Sequence, residues 1–229
     1  MRRCQVVLRP VESDQAIQSF CEVIALVKVL GIAGSARRSG NTEKLLDRAL
    51  DGARRAGAAT EKVVLLDMDL HPCICPRTDD CLPNGICSVQ DEMQPLYPKL
   101  LECDLLFVAS PIFFRSVTAQ LKAMIDRCQA LWVRKYRLRH DITPHRSAPR
   151  KGLFISVASQ GGRREFEGAV TVMRSFFASI NARYEADLLL GEIEQPWDVL
   201  AHPEYLDRAY ELGLQLAHGE VSGAGPNAA

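Results

Sequence analysis

The chain has 229 residues, with 28 lysines and arginines balanced by 28 aspartates and glutamates. This length fits one α/β domain with a substantial core, and the zero formal charge excludes an electrostatic case for nucleic-acid binding. No membrane span is expected either, because Lys28 interrupts the apolar run 23–27. Since Glu12, Asp14 and Glu22 also break the apolar stretch that a signal peptide needs, we expect a cytoplasmic protein.

Apolar runs and helical periodicity alternate along most of the chain. The pattern predicts strands over 28–33, 62–66, 104–109, 153–158 and 184–190, and helices over 41–56, 90–103, 117–133, 165–180 and 203–218. This alternation predicts an α/β domain with a five-stranded parallel sheet, right-handed crossovers and helices on both faces. The domain is predicted over 27–218, with an N-terminal extension over 1–26 and a disordered tail over 219–229. Two segments interrupt the pattern, namely a cysteine-rich loop over 71–88 and a polar flap over 134–151.

The loop between the first predicted strand and its helix is suited to holding a phosphate. Gly34 and Gly40 let the backbone approach an anion closely, and the helix N-terminus that follows favours negative charge. The polar residues of this loop that can donate hydrogen bonds to phosphate oxygens are Ser35, Arg37, Ser39, Asn41 and Thr42. The loop has neither the Walker A sequence nor the dinucleotide fingerprint, so a monophosphate is expected. The alternative is an ordinary strand-to-helix turn with a polar cap.

Two further loops follow predicted strands and are therefore expected at the same edge of the sheet. The first contains Pro111, Ile112, Phe113 and Phe114, whose apolar and aromatic side chains suit a flat heteroaromatic ligand. The second contains Ser159, Gly161 and Gly162, and paired glycines there allow close approach of a ring or a phosphate. The aromatic residues could instead cover the core, and the glycines could form an ordinary tight turn.

The motifs around Ser35 and Pro111, with the stretch 117–127, resemble the flavodoxin-like NAD(P)H-dependent FMN reductases. The cysteine-rich segment followed by Gln90-Asp91-Glu92-Met93 resembles the iron–sulfur flavoprotein branch of that family. The resemblance covers about residues 27–216 and implies a three-layer sandwich with strand order 2-1-3-4-5.

The resemblance also implies a non-covalently bound FMN, whose ring and phosphate would occupy the three loops. Ser35, Arg37, Ser39, Asn41 and Thr42 would hold the phosphate. Pro111, Ile112, Phe113 and Phe114 would flank the ring, with Ser159, Gly161 and Gly162 at its far edge. NAD(P)H would donate the electrons, and the subunits would form a homodimer or homotetramer. No catalytic side chain is assigned, because hydride passes directly between nicotinamide and flavin.

Four cysteines lie close together in the cysteine-rich loop and form a candidate metal site. They are Cys73, Cys75, Cys81 and Cys87. Four thiolates can ligate a [4Fe–4S] cluster, although the spacing differs from the Cys-x2-Cys-x2-Cys pattern of the branch. Zinc is a second possibility, and free or redox-active thiols without a metal are a third.

The sequence thus favours an FMN-dependent oxidoreductase that passes electrons from NAD(P)H to a small acceptor such as a quinone or free flavin. One alternative is an iron–sulfur flavoprotein that transfers electrons without nicotinamide, with a redox protein as its partner. Another is a non-enzymatic flavodoxin-like module whose cysteine loop binds zinc or a partner. Fold resemblance alone does not rank these, because function depends on the site.

Overall fold

The computed structural model of the chain describes residues 26–74, 81–143 and 149–220. Within them, five parallel strands form one sheet in the order β2-β1-β3-β4-β5, which confirms the predicted topology. The strands are β1 (Lys28–Ala33), β2 (Ala59–Val64), β3 (Leu105–Pro111), β4 (Arg150–Val157) and β5 (Ala182–Leu190). The α-helices are α1 (Asn41–Arg55), α2 (Met93–Glu102), α3 (Ala119–Arg127), α4 (Gln129–Trp132), α5 (Glu167–Ser179) and α6 (Pro203–His218).

Successive strand residues point to opposite sides of the sheet, so both faces carry apolar side chains. Helices cover both faces. Val29 and Phe107 pack with α1 and α6 in one buried cluster. Leu30 and Val108 pack with α2, α3 and α5 in a second buried cluster on the other face. The fold is therefore the predicted three-layer sandwich. None of the helices in the described ranges is long and apolar enough to cross a membrane.

Close packing of α1 against α6 depends on two glycines that face each other across the helix pair. A Cβ at Gly52 would lie 2.0 Å from the Tyr210 carbonyl oxygen, and a Cβ at Gly213 would lie 1.9 Å from the Ala49 carbonyl oxygen. Side chains there would push the helices apart. The packing holds α1, which begins at the predicted phosphate loop, firmly against the sheet.

Several element boundaries differ from the sequence prediction. β2 begins at Ala59 rather than residue 62, and Leu65–Asp67 forms a 3-10 turn. The segment predicted as a flap begins with a π-helical turn, Val133–Arg137, and its last two residues belong to β4. The predicted extension up to residue 25, Cys75 and the tail from residue 221 lie outside the described residues.

Candidate functional site

Three loops follow the carboxyl ends of β1, β3 and β4, and backbone hydrogen bonds hold these strand ends side by side. The Gly34 N–H donates to the Ala109 carbonyl oxygen at 2.8 Å, and the Ile112 N–H donates to the Val157 carbonyl oxygen at 2.8 Å. The three loops therefore share one edge of the sheet. This edge contains the point between β1 and β3 where the strand order reverses, and open parallel sheets bind ligands at that point.

The first loop leads directly into α1 and presents groups that favour an anion. Arg37 is exposed, while Ser35 is buried and its hydroxyl accepts a hydrogen bond from the Arg37 N–H at 3.0 Å. Among the described residues, no side chain caps α1 at Gly40, so N–H groups of the first turn lack partners within the helix. An uncapped helix N-terminus beside an exposed guanidinium suits a phosphate group. The loop therefore fits the phosphate of FMN.

Of the other predicted phosphate ligands, Asn41 has its side chain bound to other parts of the protein. The Asn41 side-chain amide donates to the Gln195 carbonyl oxygen at 2.8 Å, and its oxygen accepts from the Val199 N–H at 3.4 Å. These bonds join the start of α1 to the segment after β5. Thr42 is buried, and Ser39 is exposed in a left-handed conformation with φ of 52°. The contact of these three residues with a phosphate stays a prediction.

The second loop contains a tight turn that displays an aromatic ring. Phe113 and Ser116 exchange two backbone hydrogen bonds of 2.9 Å. Between them, Phe114 and Arg115 have φ of 50° and 59°, a left-handed conformation that is uncommon for residues other than glycine. The Phe114 side chain is completely exposed as a result. Strained backbone of this kind often occurs where the chain positions a ligand.

Contacts with α5 and the turn before it hold this strained turn in place. Arg115 forms an ion pair with Glu165, with an Nη2 to Oε1 distance of 3.2 Å. The Arg115 carbonyl oxygen also lies over Gly168, only 2.3 Å from the point that a Cβ would occupy. Glycine at position 168 thus makes room for the turn.

A cavity of about 430 Å³ lies between the loops that follow β3 and β4. It is lined by Ile112, Phe114, Arg115, Ala158, Ser159, Gln160 and Glu165. This volume and mixed lining match a small-molecule site, and the flat mouth beside an aromatic ring suits an isoalloxazine ring. The cavity brings together three of the predicted ring contacts. Pro111, Phe113, Gly161 and Gly162 lie on the same two loops, and their contact with a ring stays a prediction.

Thr118 connects the phosphate loop to α3, a role that the sequence prediction missed. The Thr118 hydroxyl donates to the Gly34 carbonyl oxygen and accepts from the Leu121 N–H at 3.3 Å. The side chain is fully buried. A threonine followed by a helical pattern is a recognisable N-cap, but its second bond depends on the tertiary fold.

Arg127, at the end of α3, is fully buried and donates every N–H of its guanidinium group. Its two Nη atoms bind the Asp91 carboxylate at 2.5 Å and 3.0 Å, and they also bind the carbonyl oxygens of His71 and Val89. Its Nε donates to the Cys87 Sγ at 3.2 Å. Arg127 therefore fastens both ends of the cysteine-rich segment to α3.

In the buried Arg127–Asp91 pair, each side chain stabilises the charged form of the other. Burial raises the pKa of Asp91. Hydrogen bonds from Arg127 and from the N–H groups of His71 and Met93 lower it by a larger amount, so the net pKa lies below its ordinary value. Burial lowers the pKa of Arg127, and the bonds to Asp91 and Cys87 more than reverse that effect. Both groups are ionised at neutral pH. A second ion pair, between Lys122 and Asp126, lies on the surface of the same helix at 2.6 Å.

The predicted cysteine ligands are not gathered around one point in the described residues. Cys81 and Cys87 are buried with Ala130 and Val133, whereas Cys73 is partly exposed. Within ranges 26–74, 81–143 and 149–220, no three His, Cys, Asp or Glu side chains are grouped closely enough for a metal ion. Because Cys75 lies outside these ranges, the four-cysteine ligand set stays a prediction, and we derive no step through a metal.

The basic run 134–139 lies away from the three loops. The Lys135 Nζ donates to the Ala178 carbonyl oxygen at 2.6 Å, at the end of α5. α5 starts beside the cavity and extends roughly 20 Å to that point, at 1.5 Å per residue. Within one subunit the run therefore lies near the opposite edge of the sheet.

This sheet order, with a cavity between the loops after β3 and β4, defines a flavodoxin-like fold. The match to known families is more specific than the fold. Residues 27–187 match the model of the NADPH-dependent FMN reductases, so the chain belongs to that family. The resemblance predicted from the sequence motifs is confirmed.

Curated relatives include proteins of the predicted branch. One iron–sulfur flavoprotein from Methanocaldococcus jannaschii is 36% identical over 116 residues, which cover 51% of this chain and 58% of that protein. Another from Archaeoglobus fulgidus is 39% identical over 101 residues, covering 44% of this chain and 45% of the relative. The chain thus spans about half the length of these relatives.

Solved structures show the same fold. The NAD(P)H:quinone oxidoreductase from Methanothermobacter marburgensis superposes with a TM-score of 0.62 at 18% identity, covering 85% of this chain and 98% of that one. A structure described as a flavone reductase superposes with a TM-score of 0.57 at 20% identity, covering 85% of this chain and 63% of that one. At such identities the likeness concerns the fold alone.

Proposed function

We propose that the chain binds FMN at the carboxyl edge of its sheet and transfers electrons from NAD(P)H to a small acceptor. The observation that carries the proposal is the cavity of about 430 Å³ beside Phe114, at the same edge of the sheet as the loop that contains Arg37. Membership of the FMN reductase family supports the choice of flavin. Bound FMN would supply the hydride-accepting and electron-transferring chemistry.

The protein's own residues would position the cofactor and shield it. Ser35, Arg37 and the first-turn N–H groups of α1 would bind the phosphate oxygens and fix the ribityl end. Ile112 and Phe114 would contact the ring through apolar and aromatic surface. The Arg115–Glu165 ion pair would hold the turn in place and close one side of the cavity against water.

Visible absorption and flavin binding test this proposal directly. The purified chain is expected to show a flavin spectrum or to take up added FMN, with quenched flavin fluorescence, and to be bleached anaerobically by NAD(P)H. Quinone should then restore the oxidised spectrum. A chain that takes up no FMN would disprove the proposal. Bleaching by dithionite but by neither nicotinamide would favour the electron-transfer alternative.

We also propose that Cys73, Cys75, Cys81 and Cys87 bind an iron–sulfur cluster, with a redox protein as an additional partner. The support comes from the names of the matched relatives and from the burial of Cys81 and Cys87 in one cluster beside α4. Because Cys81 is disulfide-bonded in the structure, cluster binding would require its reduction and would then have to draw the four thiols together. Iron and acid-labile sulfide near four per chain after anaerobic purification are expected. Zinc, or no metal, would disprove this second proposal.

We further propose that the chain works in the cytoplasm as a homo-oligomer. Four of the five described cysteines form no disulfide, Cys81 being the exception, and a majority of reduced thiols is typical of a reducing compartment. Large apolar side chains are exposed at Phe114 and Trp197, and exposed apolar surface of this kind often marks a contact with another chain. Light scattering coupled to gel filtration should give the mass of a dimer or tetramer, and a monomer mass would contradict this assignment.

A further inference from the structure

Behind the anion-binding loop lies a carboxylate, Glu43, that sequence analysis did not single out. Its Oε2 accepts a hydrogen bond from the Ser39 N–H at 2.6 Å, which holds the loop in the left-handed conformation at Ser39. Its Oε1 accepts from the Lys62 Nζ at 2.9 Å. The Lys62 Nζ also binds Asp47 at 2.8 Å, one helical turn further along α1. The Glu43 side chain is only 11% exposed, and that of Lys62 is 28% exposed.

This carboxylate is charged at neutral pH. Burial raises the pKa of Glu43, but the bonds from Lys62 and from the Ser39 N–H reverse the effect, and the net pKa lies below the ordinary value. Burial lowers the pKa of Lys62, and its bonds to Asp47 and Glu43 raise it above the ordinary value. The pair is therefore an ammonium–carboxylate pair under physiological conditions.

A negative charge in the first turn of α1 has two opposing consequences. The carboxylate interacts favourably with the helix dipole. It also orders the loop by accepting the hydrogen bond from the Ser39 N–H. The same charge repels a phosphate dianion at the same helix N-terminus, because like charges in a partly buried site repel each other more strongly than they do in water. A cation beside the carboxylate weakens this repulsion, and Lys62 supplies that cation while also binding Asp47.

We propose that Lys62 is a positioning residue for the phosphate of FMN, which acts by neutralising Glu43 and so lets that carboxylate shape the loop without repelling the ligand. The inference rests on the proposed function. Lys62 lies on β2, the edge strand beyond β1, whereas the ring-sized cavity lies between the loops after β3 and β4. Its effect is therefore expected on the phosphate and not on the ring.

Comparison of FMN with riboflavin, which lacks the phosphate, isolates this effect. Lys62→Met should weaken FMN binding about tenfold and leave riboflavin binding unchanged, as measured by flavin fluorescence quenching. Lys62→Arg should restore most of the FMN affinity. Lys99→Met is the matched control, because Lys99 forms a comparable strand-to-helix ion pair with Glu61 at 2.5 Å and lies outside the site. It should leave both affinities unchanged.

A double-mutant cycle distinguishes neutralisation from direct contact. Glu43→Gln keeps an acceptor for the Ser39 N–H but removes the charge. If Lys62 acts through Glu43, the Glu43→Gln/Lys62→Met protein should recover most of the FMN affinity that Lys62→Met loses. If Lys62 instead touches the phosphate, the double variant will bind FMN as poorly as Lys62→Met, and the proposal is overturned.

The remaining outcomes are equally decisive. A ratio of FMN to riboflavin affinity that stays at the wild-type value in Lys62→Met, in protein whose unfolding midpoint is retained, would also overturn the inference. Equal weakening of both ligands would assign Lys62 a general structural role and reject the phosphate-specific one. Failure of the wild-type chain to bind either flavin would instead disprove the proposed function itself.

Discussion

The loop after β1 and the cysteine-rich segment use arginine in opposite ways. Arg37 is exposed at the surface of the first loop, beside helix N–H groups that have no partner within the helix. Arg127 is fully buried, and each of its five N–H groups binds an atom of the protein. A cation that is accessible beside unsatisfied donors is suited to binding an outside anion, whereas a cation with all its donors satisfied fixes a segment of chain.

The largest expected effect is the loss of this buried anchor. Arg127→Met leaves the Asp91 carboxylate buried without its cation, so we expect the free energy of unfolding to fall by about 3–5 kcal/mol. Urea unfolding followed by circular dichroism would measure the change. Lys122→Met on the same helix is the matched control, since it breaks an exposed ion pair worth only about 0.3–0.5 kcal/mol. Similar losses in both variants would show that Arg127 is not a special anchor.

The sequence predicted the first loop far better than the anchor, and the reason is physical. The loop is a local feature: β1, its glycines and the start of α1 are contiguous, so its place at the carboxyl edge of a parallel sheet follows from the alternation of strands and helices. The strand order was implied by the family resemblance. The partners of Arg127 come from residues 36 to 56 positions away, and sequence spacing on α3 gave no sign that this side chain points inward. Lys62 and Glu43 were missed for the same reason, being 19 positions apart.

The bounds of β2 show a further limit of prediction. Its first residues, Ala59, Thr60 and Glu61, are polar or small, and the strand has only β1 as a neighbour. An edge strand needs less apolar surface than a central one, so hydrophobic patterning understated its length. By contrast, β1 is buried on both faces, and its predicted bounds, 28–33, agree with the structure.

The turn that presents Phe114 should be the next most sensitive feature, because it packs closely over Gly168. In an exposed helix, Gly→Ala normally stabilises, by about 1 kcal/mol. At Gly168 the new Cβ would lie 2.3 Å from the Arg115 carbonyl oxygen, so Gly168→Ala should instead cost about 1–3 kcal/mol and displace the turn. Weaker binding of riboflavin and FMN alike, measured by fluorescence quenching, is the expected readout. Unchanged affinity for both flavins would show that the turn does not contribute to binding of the ring.

The smallest expected effect tests the first loop with two neighbouring arginines. Arg37 is exposed and its guanidinium forms no ion pair with any described residue, whereas Arg38 is paired with Asp67. If the phosphate binds at this loop, Arg37→Ala should weaken FMN binding roughly fivefold, as expected for the loss of one solvent-exposed hydrogen bond worth about 1 kcal/mol. Riboflavin affinity should not change.

Arg38→Ala supplies the comparison within the same loop. Because Asp67 already offsets its charge, this change should alter FMN affinity by less than about twofold, close to the value of a surface ion pair. Titrations at low and moderate salt would strengthen the contrast, since the contribution of Arg37 should fall as salt screens it. Were Arg38→Ala the more damaging change, the phosphate would have to displace Asp67 from Arg38. The loop would then resemble the cysteine-rich segment in one respect, because a carboxylate of the protein holds its cation when no ligand is bound.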